Sequence, residues 1–254
     1  VTEAQRQKLT AMRASGAIVV DALNLCRELA QPGARTGDID ARIEELIRTA
    51  GAKPSFKGYN GYPASVCISI NEQIVHGIPG EHRLVEGDIA SFDVGAYLGG
   101  YHGDAALTVA VGQISAEAHR LMRTTYECLE RAVALVGPGV HIGDIGAAVQ
   151  THAESRGYHV VRDFTGHGVG RKLHERPQIP NFGKPGRGPR VQPGDGLAIE
   201  PMLNMGTIAT KVLADNWTVV TYDGGLSAHY ERSLVVTDEG CEVTTPWSPD
   251  GLFD

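Results

Sequence analysis

The sequence predicts an α/β (α+β) fold built from two similar halves, each a pair of helices followed by strands. Three observations carry this. Residues 32 to 51, PGARTGDIDARIEELIRTAG, return at an offset of 106 as PGVHIGDIGAAVQTHAESRG, residues 138 to 157. A longer helical pattern precedes each copy. After each, a Gly-Asp pair opens a run with strand character: LVEGDIASFD (84–93) and VQPGDGLAIE (191–200).

Taken in order, a helix is expected from about Glu3 to Leu29, with apolar residues on one face. A Pro-Gly turn at 32–33 follows, then a second helix that Asp38 would cap and Gly51 would end. Residues 91 to 106, SFDVGAYLGGYHGDAA, read as a hairpin turning near Leu98-Gly99-Gly100. The third helix runs from about Ala116 to Val136, and the fourth lies between Asp144 and Gly157. Within the remainder, Leu234 to Val236 reads as strand. One domain, residues 1–254, is expected, with the repeat spanning about 2–110 and 115–240.

The 254 residues are 42% hydrophobic and 21% charged, an ordinary globular composition. A net charge of −7 without a long basic run argues against sequence reading of nucleic acid or binding to anionic membranes. The polar start VTEAQRQKLT gives no expectation of a signal peptide, and no run of about 18 apolar residues suggests a membrane span. Cys26, Cys67, Cys128 and Cys241 are scattered without a C-x-x-C, so a cytoplasmic protein without disulfides is expected.

Aspartate is disfavoured in strands, yet the hairpin at 91–106 carries Asp93 and Asp104 in its two arms. Any even-numbered loop puts both on one face. Two adjacent carboxylates repel, and a divalent cation between them removes the conflict. An acidic face turned to solvent accounts for this hairpin equally well. The second half adds weight to the metal. Asp93 aligns with Glu200 in the repeat, and Glu231 stands on a return strand as Asp104 does. His167, in the Gly-rich stretch TGHGVGRKLHERP (165–177), offers an imidazole. Four carboxylates and one His are oxygen-rich for a single zinc. They suit two divalent ions about 3.5 to 4 Å apart, and hence metal-assisted hydrolysis by a bridging water. GHGVG lacks the strand–loop–helix context of a dinucleotide site, and there is no P-loop motif.

The motifs NEQIVHGIP (71–79), DVGAYLGGYHGD (93–104), TGHGVGRKLHERP (165–177), AIEPM (198–202) and SAHYERSLVVTDEG (227–240) together resemble those of type I methionine aminopeptidases. The resemblance covers nearly the whole chain. It implies a pita-bread fold, a pseudo-twofold array around a curved antiparallel sheet. It implies removal of the initiator methionine from nascent chains when the second residue is small. By the same resemblance Asp93, Asp104, His167, Glu200 and Glu231 are the ligands of two ions (Co, Mn, Fe or Zn), with Asp104 and Glu231 bridging. Glu200 also serves as general acid/base. His76 lies near the scissile amide, and His174 stabilises the carbonyl as it becomes tetrahedral. Tyr59, Tyr62, Cys67, Met202 and Trp217 form the methionine pocket, although core packing is their ordinary reading. Phe56 stands where a cysteine is usual in bacterial members, and Asn60 where a His is frequent.

Only 31 residues separate Glu200 from Glu231, too few for the roughly 60-residue insert that the resemblance associates with type II enzymes. No N-terminal zinc finger or Pro-rich ribosome arm is expected, which leaves at most a transient ribosome encounter, and the resemblance implies a monomer. Two other readings compete. An Xaa-Pro-cleaving aminopeptidase or prolidase shares the ligand types but normally carries a large extra N-terminal domain. A binding homologue without chemistry would be expected to have lost ligands.

Overall fold

In the computed structural model, which describes residues 2–253, four helices back a set of antiparallel strands. The first half runs α1 (Glu3–Leu29), α2 (Thr36–Thr49), β1 (Lys53–Pro54), β2 (Val66–Ile70), β3 (Gln73–Val75), β4 (Ile89–Leu98) and β5 (Tyr101–Ala110). The second runs α3 (Ala116–Leu135), α4 (Ile142–Ser155), β6 (His159–Val160), β7 (Gly166–Gly168), β8 (Glu175–Ile179), β9 (Gly196–Ile199) and β10 (Met202–Asn204). It continues through β11 (Thr210–Val212), β12 (Val219–Thr221), β13 (Ser227–His229), β14 (Arg232–Val236) and β15 (Cys241–Val243).

Helix α1 begins where Thr2 accepts a hydrogen bond from the Gln5 amide, and the Gln5 side-chain oxygen accepts one from the Thr2 amide. Its buried residues, Met12, Ser15, Gly16, Ile18, Val19, Ala22, Leu23 and Cys26, recur at three- and four-residue spacing. That face lies on β4 and β5. Gly16 is required there, because a Cβ would run into the Thr244 carbonyl. α1 is long and apolar enough, by length and composition, to cross a membrane, although it contains no unbroken apolar run of that length. Here that apolar surface is the stripe packed on the strands.

The repeat is visible in hydrogen bonds. The Gly33 amide donates to Leu84 and the Gly139 amide to Val191. Gly37 donates to Gly80, and Gly143 to Arg187. Asp88 accepts from the Val85 amide as Asp195 does from Gln192. The expected helix caps are displaced. Asp38 and Asp144 sit inside the first turn, because Arg35 and His141 occupy the N-cap positions. Asp144 reaches back to the His141 amide at 2.9 Å. Gly51 and Gly157 end their helices with φ of +78° and +82°, a conformation that costs glycine little.

β1, β2 and β5 join β4, and β15-β14-β9-β7-β8 form a five-stranded sheet. Every strand pairing among the described residues is antiparallel. The stretch between Glu200 and Glu231 is more elaborate than a hairpin. It includes the β11–β12 ribbon, and β12 crosses to pair with β3 of the first half. All four cysteines are free.

Candidate metal centre

The β4–β5 hairpin turns through Gly99 and Gly100, both at positive φ, a two-residue loop that glycine favours. Asp93 stands opposite Ala106, and Asp104 opposite Gly95. The two aspartates are therefore diagonal neighbours on one face. The other face of β4 is core, with Phe92 and Val94 wholly buried. Asp93 lies mid-strand, not at the strand end its alignment with Glu200 suggested, because β4 continues to Leu98 whereas β9 stops at Ile199.

Ile199 pairs with Arg232, so Glu200 and Glu231 face each other one step beyond that ladder. The Glu231 amide donates to the Ala106 carbonyl at 2.8 Å, and the Ser233 hydroxyl to the Asp104 carbonyl at 2.7 Å. These bonds lock the return strand of the second half onto the hairpin of the first. His167, on β7 beside β9, completes the group. Its Nε2 is 3.5 Å from Glu200 Oε1 and 3.7 Å from Asp104 Oδ2. Ligand atoms of Asp104, His167 and Glu231 all lie within 4.8 Å of one another. His167 Nδ1 is 2.9 Å from the Gly168 carbonyl, which can only accept. Nδ1 thus carries the proton, and the Nε2 lone pair faces the carboxylates.

Burial pushes the Asp93 carboxyl up to about 7, and burial plus neighbouring carboxylates push Asp104 and Glu231 well above the usual range; Glu200 rises by burial. Asp93 Oδ1, Asp104 Oδ1 and Glu231 Oε1 are buried without a hydrogen-bond partner. Buried unsatisfied carboxylate oxygens are costly. Oxygen-rich donors converging with one imidazole lone pair fit divalent cations, which would satisfy those oxygens and neutralise the charge.

A cavity of about 250 Å³ opens over this cluster. Phe56, Tyr59, Asn60, Tyr62, Cys67, Val75, Leu173 and Trp217 supply much of its wall. Tyr62 and Trp217 meet edge to face at 5.1 Å. His76 is held at φ +61°, a strained setting for a non-glycine residue, between Phe164 and Trp217. Burial lowers its pKa to about 4, so its ring is neutral at pH 7. His174 lies just ahead of β8, its ring centre 4.2 Å from that of His167, with Nδ1 2.8 Å from the Tyr59 hydroxyl.

Met202 is the exception among the expected pocket residues. It is fully buried with Ile74, Val75, Val161 and Val219 and does not line the cavity, because β10 turns its side chain into the layer behind Phe164 and Val75. Sequence reasoning also missed Phe164, Thr165, Val75 and Leu173 as wall residues. It missed His229, whose buried Nε2 lies 3.6 Å from Glu200 Oε2 and has no hydrogen-bond partner. His229 precedes Glu231 by two residues, a spacing that could have flagged it.

Paired acids and an imidazole at the junction of two duplicated halves are the arrangement of a metal-dependent hydrolase, and the chain belongs to metallopeptidase family M24, whose model matches residues 10–238. It is similar to the methionine aminopeptidase of Clostridium acetobutylicum, with 49% identity over 92% of this chain and 94% of that protein. The crystal structure of methionine aminopeptidase from Thermotoga maritima superposes with a TM-score of 0.93 at 42% identity, over 96% of this chain and 98% of that one. The prolidase of Pyrococcus furiosus shares the fold at a TM-score of 0.77 and 21% identity. The match spans 95% of this chain but only 64% of that one.

Proposed function

We propose that this chain is a methionyl aminopeptidase that hydrolyses the initiator methionine from nascent polypeptides whose second residue is small. The observation that carries the reading is the abutment of two things: four carboxylates gathered around His167, with Asp93 Oδ1, Asp104 Oδ1 and Glu231 Oε1 left without a partner, and a small cavity walled by aromatic rings and a thiol. Such walls suit a flexible thioether side chain. The similarity to methionine aminopeptidases along nearly the whole chain supports the same reading.

Asp93, Asp104, His167, Glu200 and Glu231 would hold two divalent ions (Mn, Fe, Co or Zn). Bound there, such ions polarise the scissile carbonyl and make water a competent nucleophile near neutral pH. The chain's own groups do the rest. Glu200 takes the proton of the attacking water and returns it to the departing amine. His174 donates from Nε2 to the carbonyl oxygen as negative charge gathers on it, provided Nδ1 accepts from the Tyr59 hydroxyl. Neutral His76, on the cavity wall, would hydrogen-bond the scissile amide. Tyr59, Tyr62, Cys67 and Trp217 enclose the methionine side chain and exclude water.

In this reading residues 1–254 act as one catalytic unit with internal repeats at about 2–110 and 115–240. It works in the cytoplasm as a monomer on emerging N-termini, with no more than a transient ribosome encounter. Release of methionine from Met-Ala-Ser by the metal-loaded protein tests the activity. Stoichiometric metal binding without hydrolysis of any peptide would overturn it.

A further inference from the structure

A second groove, about 1230 Å³, adjoins the catalytic cavity and shares Phe164, Thr165, His167 and His174 with it. It runs from His174 past Arg176 of β8 to the loop 183–190, GKPGRGPR. We propose that this groove receives the substrate polypeptide beyond the scissile bond and favours acidic side chains there. The inference rests on the aminopeptidase reading and adds a substrate preference to it.

Charge is the first argument. Residues 162–190 carry seven Lys and Arg against two Asp and Glu, a net +5 inside a chain of net −7. All seven cations are exposed. Among the described residues, none pairs with a carboxylate within 4 Å. Arg162 and Arg171 rest on the rings of Phe182 and Tyr101. Arg176, Lys184, Arg187 and Arg190 line the groove.

The acids in the groove wall are engaged elsewhere. Asp163 accepts from the Thr210 hydroxyl, Glu175 from the Lys172 amide and Asp195 from the Gln192 amide. Glu175 and Asp195 also face Lys8, which offsets their charge.

The repeat supplies a control within the same molecule. Gly80 and Arg83 occupy the places of Arg187 and Arg190, as their matching hydrogen bonds and bridges show. In that first-half loop the cations are spent: Arg35 pairs with Asp38 and Glu81, and Arg83 donates to the Gly33 carbonyl. In the second half, among the described residues, Lys184 and Arg187 have no such partner, and Arg190 faces Asp144 only at longer range.

Continuity decides the occupant. His174 would face the carbonyl of the residue being removed, so the chain after that bond must leave past it, and this groove begins at His174. An exposed cationic rim acts on encounter and on substrate affinity more than on the chemical step.

The test compares Met-Ala-Ser-Gly-Ser-Gly with Met-Ala-Glu-Asp-Glu-Gly on the metal-loaded enzyme. At low salt the acidic peptide should show a KM lower by about fivefold with kcat unchanged, the factor that roughly 1 kcal/mol of surface ion pairing gives. The advantage should vanish near 0.5 M salt. Lys184→Glu/Arg187→Glu/Arg190→Glu should abolish it while cleaving Met-Ala-Ser like the parent. The loop backbone is pinned to α4 by the Gly143 and Gly186 amides, so the side chains can change without moving it. The single Arg187→Gln variant should lose part of the advantage should the triple variant fold poorly. Equal KM values for both peptides, or a preference that survives the triple variant, would overturn the inference. So would a triple variant that loses affinity for an RNA hairpin while its peptide kinetics stay unchanged, since the surface would then serve a nucleic acid. Failure to release Met from any peptide would instead strike the aminopeptidase reading itself.

Discussion

The Tyr59 hydroxyl and His174 Nδ1 lie 2.8 Å apart, joining the wall of the cavity to the histidine nearest His167. If the hydroxyl donates, His174 holds its proton on Nε2, the nitrogen free to meet a developing oxyanion. His174→Ala should keep the metal and lower kcat by about 10² to 10³, the usual cost of one such donor. Tyr59→Phe should lower kcat by less, since it frees the tautomer without removing the donor. Steady-state kinetics on Met-Ala-Ser decides this. An unchanged kcat in His174→Ala would remove it from the mechanism.

Asp104 is 3% exposed, and one of its oxygens has no partner in the protein. Asp104→Asn should lose metal, because an amide cannot replace two anionic oxygens shared between ions. Elemental analysis after dialysis reads the stoichiometry. Two ions per chain in that variant would contradict the bridging role.

The buried carboxyls give the metal-free protein an unusual pH response. Their folded pKa values lie above the unfolded ones near 4, with Asp93 at about 7. Their contribution is therefore complete below about pH 4 and lost as pH rises through the folded values. His76 and His167, lowered to about 4 and about 3, work in the opposite sense, but only below about pH 6.5. Above that the histidines add no slope, and the raised thiols of Cys26, Cys67 and Cys128 join the carboxyls only as pH nears 9. The Tm of chelator-treated protein should fall from about pH 6.5 to 8, across the folded pKa of Asp93, and saturating divalent metal should flatten the slope. A metal-free Tm that rises across this window would count against the carboxylate cluster as the source.

Gly16 packs where α1 approaches β5 and the 244–245 segment, with Gly103 closing the same contact from the strand side. Gly16→Ala should destabilise by about 1 to 3 kcal/mol through overpacking, read as a lower midpoint in urea. An unchanged midpoint would mean that α1 can shift away at no cost.

Much of this site was legible from pattern alone. The repeat located the two halves, and strand alternation put Asp93 and Asp104 on one face before any coordinates. The loop between their strands has two residues, as an even count required. What sequence could not supply is depth. Met202 alternates on a strand just as a wall residue would, but whether it lines the cavity or the layer behind it depends on how β3, β10 and β12 stack. Phe164 lies just outside the motif that opens at Thr165 and becomes a wall residue because it leads into β7 beside His167. The Asp38 cap failed because Arg35 already holds the extended N-cap geometry, which moves Asp38 into the first turn.

The central claim is that the carboxylate–histidine cluster and the adjoining cavity together make a metal-dependent methionyl aminopeptidase. The most direct test strips the protein with chelator, adds back Mn or Co, and follows free amino acid from Met-Ala-Ser and from Ala-Pro-Ser side by side. Methionine release that disappears with chelator and returns with metal is the predicted result. Release of alanine from Ala-Pro-Ser, with Met-Ala-Ser left intact, would keep the metal centre and contradict the assignment of the cavity to methionine.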